Sequence, residues 1–276
     1  MDFTPTPRQA ELIARVDHAV DETGGLNRAR AFAFKQRLDT GLECALAAAI
    51  HPGELTLLER VLIAERLAWA GAATTFGLRA VVLGDTELAD TGPAGARRGL
   101  AVVDRYRGGL ARYAADAAQL LVLNEDQASL VELAPGQVEA VPSGAGFPVG
   151  RVPAELLESG RPVEARGLRA RWVLAMAAEL GGAAHAVVEL TSAHLRERVQ
   201  FGQPLAHFQA LRHRVANLAV DAEATRWMVR EAAYLGQERP MWLAASYAAA
   251  VGAALSPDAV QLWAPAASCT SSASAT

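Results

Sequence analysis

The sequence has little cysteine, almost no lysine and few aromatic residues. Its two cysteines, Cys44 and Cys269, stand far apart, which leaves no disulfide framework and no zinc-ligand spacing. Lys35 is the only lysine among 26 basic residues. The cationic chemistry is therefore that of arginine, whose planar fork can grip phosphate or carboxylate with two parallel hydrogen bonds. Thirty acidic residues outnumber the basic ones, for a net charge of −4. That excludes a general nucleic-acid binder, which would carry a basic surface. No run approaches the roughly 20 uninterrupted apolar residues of a membrane span. The start, Met1-Asp2-Phe3-Thr4-Pro5, lacks the basic residues and apolar run of a secretory leader, so a cytoplasmic protein is expected. Also missing are a G-x-S-x-G elbow, a glycine-rich phosphate loop ending in Lys-Ser/Thr and an H-E-x-x-H metal helix.

What is present is strong patterning. The 276 residues are 51% hydrophobic, enough to bury a sizeable core, and length allows about two compact units. Residues 1–94 read as an N-terminal helical domain. A helix starts near 9–16 behind two prolines, a second covers 30–49 and stops at His51-Pro52-Gly53, and a third covers 56–71. In the third, Leu57, Leu58, Val61, Leu62, Ala64 and Leu67 form an apolar stripe. Glu59, Arg60, Glu65 and Arg66 fall largely off it, which predicts a half-buried helix. Residues 95–166 read as a reduced β middle domain. Short apolar runs at 120–123, 128–133 and 138–141, separated by turn residues, predict an antiparallel meander, followed by a surface loop over 142–162.

Residues 167–276 read as a C-terminal helical bundle with an irregular tail. One helix is expected over 171–198. The next carries Phe208, Leu211, Val215, Leu218, Ala222, Thr225, Val229 and Ala232 at alternating spacings of three and four, the seam of a bundled helix. A third helix over 242–255 should end at Ser256-Pro257. Two long helices joined by a short link form an antiparallel hairpin. The fold class expected is mainly α, with a reduced β middle region and a C-terminal antiparallel helical bundle.

Chemistry concentrates in that link. It reads Arg196-Glu197-Arg198-Val199-Gln200-Phe201-Gly202-Gln203-Pro204-Leu205-Ala206-His207-Phe208-Gln209. The turn breaks at Gly202 and Pro204, and arginine, glutamine and backbone donors gather at a helix–helix junction. Such a set suits an anionic pyrophosphate or, equally, a tight hairpin capped by polar residues. The pairs His185/His194 and His207/His213 share no helix face well, and Glu179 belongs to the helical pattern.

The same stretch closely resembles the acyl-CoA dehydrogenase family, whose first long C-terminal helix ends in R-x-Q-F-G-x-P-(I/L)-x-x-F-Q. The resemblance extends upstream through 177–184 and downstream through 210–221, and more weakly to Met1-Asp2-Phe3 with Gln9 and Leu12, and to 59–67. It implies an acyl-CoA dehydrogenase-like fold with FAD as cofactor and an acyl-CoA thioester as substrate. In the family's chemistry a glutamate base takes the Cα proton and flavin takes the Cβ hydride. It also implies an oligomer in which Arg198, Gln200, Phe201, Phe208 and Gln209 contact the FAD of a neighbouring subunit.

Three departures refine the expectation. The middle region is short and lacks the family's flavin-side threonine/serine strand motifs. No catalytic glutamate can be placed, because the family's usual position follows a QLHGG segment that this sequence does not reach and Arg171-Trp172 occupy the alternative position. Ala259-Val260-Gln261-Leu262 begins the family's AVQLHGG motif, but Trp263-Ala264-Pro265 follows. Reading from the third base of the Trp263 codon permits Gly-Ala-Gly-Gly-Ile-Val-His, so the tail is either a frameshift product or a genuine Ser/Ala tail. The expectation is a base-lacking subunit that completes the flavin site of a larger acyl-CoA dehydrogenase partner, as a homo- or hetero-oligomer. A flavin-dependent monooxygenase of the same fold and a flavin-free helical interaction subunit are the alternatives.

Overall fold

The computed structural model describes residues 4–263 apart from 34, 36, 87–98, 108, 126 and 145–146. The tail from 264 onward, and with it the question of a shifted frame, lies outside the described residues. The chain opens with five helices: α1 (Pro7–Glu22), α2 (Gly25–Ala33), α3 (Thr40–Ala49), α4 (Leu57–Trp69) and α5 (Phe76–Leu83). Thr6 and Thr56 start α1 and α4 with capping boxes closed by Gln9 and Glu59, which satisfy orphan amides at each entry. The single helix expected over 30–49 is two. Asp39 accepts a hydrogen bond from the Leu42 amide and begins α3 afresh, the usual service of an aspartate at this position.

The half-buried reading of α4 is wrong. Residues 59–65 are buried without interruption, because α1, α5, α7 and α8 pack around this helix. Its charges are neutralised inside. Glu59 pairs with Arg8 at 2.8 Å. Arg60, 2% exposed, donates to the Pro52 carbonyl at 2.9 Å and pairs with Asp85. Glu65, 6% exposed, lies between Arg226 and Arg230, the latter at 2.8 Å. A side chain at Gly182 would run into the Glu65 carbonyl, so glycine there lets the bundle touch the α4 backbone.

The middle region holds two sheets. One has the order β1 (Leu100–Asp104), β3 (Gln119–Asn124), β4 (Gln127–Glu132), β7 (Arg161–Val163), and the other the order β2 (Leu110–Arg112), β6 (Val149–Arg151), β5 (Glu139–Val141). The β3–β4 hairpin matches expectation, with Leu120 opposite Val131. The rest of the meander does not. β1 runs parallel to β3, and β7 takes the free edge of β4, so β5 pairs with β6 instead. The predicted loop over 142–162 contains β6, the short helix α6 (Ala154–Leu157) and the start of β7.

The last part is α7 (Leu168–Glu197), α8 (Gln209–Leu235) and α9 (Glu238–Trp263). The α8 seam is buried at Leu218, Ala222, Thr225, Val229 and Ala232 and half-buried at Phe208, Leu211 and Val215. α9 runs through Pro257, past its expected end. Ala259 and Leu262 pack there against Ala184, Val188, Leu218 and Ala222, and that burial offsets the missing proline donor. α7 and α9 are long and apolar enough by composition to cross a bilayer, yet they pack against each other and α8. The fold is mainly α, with a reduced β region and a C-terminal antiparallel bundle.

Candidate functional site

All five predicted site residues fall at one end of the bundle, where α7 turns into α8. Arg198 ends α7 with its amide bonded to the His194 carbonyl at 2.9 Å. Two short strands follow, β8 (Val199–Gln200) and β9 (Gln203–Pro204), with Gln200 opposite Gln203. The Leu205 amide returns to the Arg198 carbonyl at 2.8 Å and closes the hairpin.

Phe201 and Gly202 form its two-residue turn, with φ of 53° and 79°. Two left-handed residues in succession are the mark of a type I′ turn. Glycine adopts that backbone freely, but phenylalanine is strained by about 1–2 kcal/mol. The Phe201 ring is also 88% exposed. Its edge-to-face neighbour is Phe208, with ring centroids 6.1 Å apart. Phe208 is the residue before α8, and no side chain caps that helix. Gln209 is exposed on its first turn, and Arg198 is exposed and forms no ion pair among the described residues.

This donor set fits the anionic edge of FAD. A guanidinium without a counter-ion among the described residues, two carboxamides and an uncapped helix N-terminus stand beside an aromatic pair. The fit is one-sided, since these groups lie on the surface. Beside them, Trp263 stacks on His194 with centroids 4.4 Å apart and donates its indole N–H to Thr191 at 2.9 Å. The residue that breaks the family-like motif thus anchors the end of α9 to α7.

A second constellation lies inside. A cavity of about 240 Å³ opens between α4, α5, β2 and α7, with Leu67, Phe147, Leu180 and Ala183 in its largely apolar wall. Arg112 also lines it. This guanidinium donates to Glu179 at 2.8 Å and to the Met176 sulfur at 3.2 Å. It sits 4.5 Å from the Phe147 ring centroid and 5.5 Å from that of Tyr113. Its Nε is buried without a hydrogen-bond partner. Tyr113 has φ of 62°, and burial pushes its hydroxyl up to about 12.

Glu43 lies close behind and is wholly buried. It accepts hydrogen bonds from both the hydroxyl and amide of Thr75 and from the Thr74 hydroxyl at 2.7 Å. Burial nevertheless raises its carboxyl above the usual range. Arg112, Tyr113 and Glu43 carry no periodic or motif signal, and the sequence does not single them out. Glu179, read only as part of a helical pattern, turns its carboxylate to β2.

The family model for the acyl-CoA dehydrogenase C-terminal domain matches residues 169–268. The acyl-CoA dehydrogenase IpdE2 of Mycolicibacterium smegmatis is 38% identical over 97 residues, 35% of this chain and 31% of that protein. The match therefore spans about a third of that relative. Two solved structures share the fold over nearly the whole chain. One is the ChsE4–ChsE5 complex from Mycobacterium tuberculosis, 22% identical with a TM-score of 0.69 over 96% of this chain and 88% of that one. The other is the Tcur3481–Tcur3483 steroid ACAD, 21% identical with a TM-score of 0.70 over 94% and 88%. Residues 169–268 thus match the acyl-CoA dehydrogenase C-terminal domain in sequence, and nearly the whole chain shares the acyl-CoA dehydrogenase fold.

Proposed function

We propose that this chain serves α,β-dehydrogenation of an acyl-CoA thioester as a subunit that completes the flavin site of a partner. The observation that carries this is the turn at Phe201. A large aromatic is held in a strained backbone and displayed to solvent beside an arginine that has no ion pair among the described residues, a costly arrangement unless another molecule covers it. The ChsE4–ChsE5 neighbour is a complex of two named chains, which supports a heteromeric reading here.

In this reading Arg198 grips the FAD pyrophosphate with two N–H donors, as bidentate arginine does for phosphate. Gln200 and Gln209 donate their side-chain amides to the same edge. Phe201 and Phe208 cover an apolar part of the cofactor and exclude water from it. FAD, when bound, supplies the hydride acceptor, as the redox work of such enzymes belongs to the cofactor. The proton acceptor is assigned to the partner, because Trp172 stands where this family can carry its base.

The test is co-expression with a full-length acyl-CoA dehydrogenase subunit from the same genome. The proposal expects a yellow complex that oxidises an acyl-CoA with a dye acceptor, and a larger subunit that loses flavin and turnover when purified alone. A larger subunit equally active without this chain would overturn the reading, as would a colourless complex.

A further inference from the structure

The outer face of α8 carries a separate inference. This helix has two seams. The inner one, at Leu218, Ala222, Thr225 and Val229, is buried in the chain's own core. On the opposite side Val220, Trp227 and Tyr234 recur every seven residues and are 67%, 43% and 65% exposed. The positions between them continue that row back to Ala210 in alternating steps of three and four, the spacing of a helix side that packs on another helix. An exposed apolar row of this length marks a contact surface. We infer that α8 packs antiparallel against α8 of a second copy of this chain, across a twofold axis that crosses the helix at the level of Ala222.

The choice of a second copy follows from self-complementarity. In a twofold pair, whatever one residue meets also meets it in return. With the axis at Ala222, Tyr234 faces Ala210, Trp227 faces Asn217, and Val220 faces Ala224. Each of these layers sets a larger side chain against a smaller one, which lets the helices approach closely. The remaining layer sets Glu231 against His213, an acid against an imidazole that can donate to it. The Trp227 indole already donates to Glu223 at 2.8 Å, so its ring is oriented before it docks. Charge fixes the direction. Arg212 and His213 lie near the start of the exposed face, and Glu223 and Glu231 lie nearer its end. An antiparallel pair joins opposite signs, whereas a parallel pair would set Glu231 on Glu231, and juxtaposed like charges are costly. The pairing uses neither FAD nor a larger subunit.

The experiment is sedimentation equilibrium on the purified full chain. The parent should form a reversible dimer with a dissociation constant on the order of micromolar, as for a small interface. Val220→Glu should weaken it on the order of a hundredfold, because a charge is then buried in an apolar layer on both sides of the axis. If that variant fails to fold, Tyr234→Glu tests the far end of the same row. His213→Glu should weaken the dimer about tenfold by opposing two glutamates, and adding Glu231→Arg to it should restore the parent's affinity. That rescue is specific to the antiparallel register, since a parallel pair never brings positions 213 and 231 together. A parent that stays monomeric well above micromolar concentration would overturn the inference. So would a dimer untouched by Val220→Glu or Tyr234→Glu, or a His213→Glu defect that Glu231→Arg does not repair. Such failures would leave the flavin proposal standing, because neither flavin nor a second kind of subunit enters the assay.

Discussion

Helix α4 and the β8–β9 hairpin treat charge and strain in opposite ways. α4 buries Glu59, Arg60 and Glu65 and matches each with a partner brought from elsewhere in the fold. The hairpin leaves Arg198 exposed without an ion pair among the described residues and spends backbone strain to display Phe201. Both segments belong to the same packed helical body. The difference teaches that interior charges here hold the architecture, whereas the surface turn adds little to this chain's own packing, which is why the proposal assigns it to a partner.

The largest effect should come from the interior. Glu65→Ala leaves Arg226 and Arg230 without their shared carboxylate, and removing one partner of a buried pair costs about 3–5 kcal/mol. Urea unfolding should show a midpoint shift of that size, and a variant within 1 kcal/mol of the parent would break the contrast between the two regions. Glu43→Gln should sharpen it through pH. The Glu43 carboxyl is raised in the folded state by burial, so its stabilising contribution is present at low pH and is lost as pH rises through the raised value. The glutamine variant can accept the same hydrogen bonds without ionising. Thermal melts from acid to alkaline pH should therefore show the parent losing stability relative to the variant above the usual carboxylate range, and parallel curves would refute the assignment.

At the hairpin, Phe201→Gly should raise stability by about 1 kcal/mol, because glycine relieves the left-handed strain. A loss of stability instead would mean that the exposed ring supports this chain's own fold. The smallest effect is expected at Arg198→Ala, within about 0.5 kcal/mol of the parent, as for surface substitutions that break no contact.

Much of this molecule could be read from its sequence, and the exceptions share a cause. The α8 seam, the extent of α4 and the turn at Gly202 follow from local spacing and backbone preference. The segment 198–209 is likewise local, so its five candidate residues came out together at one bundle end. What failed was long-range. Charged residues on α4 look solvent-facing until Arg226 and Arg230 arrive from more than 150 residues away. Arg112 and Glu179 form a pair only because β2 packs on α7. β5 was assigned to the wrong sheet because β7, later in the chain, takes the edge it would have used. Pro257 stops a helix in isolation but not one whose last turn is buried in a bundle.

The central claim is that the hairpin completes a flavin site, and it is tested most directly by the FAD content of the complex co-purified with a full-length acyl-CoA dehydrogenase partner. Arg198→Ala is compared with the parent at matched stability and matched subunit ratio. The account predicts that the variant complex assembles but retains much less FAD per complex. An Arg198→Ala complex with the parent's full complement of FAD would contradict it.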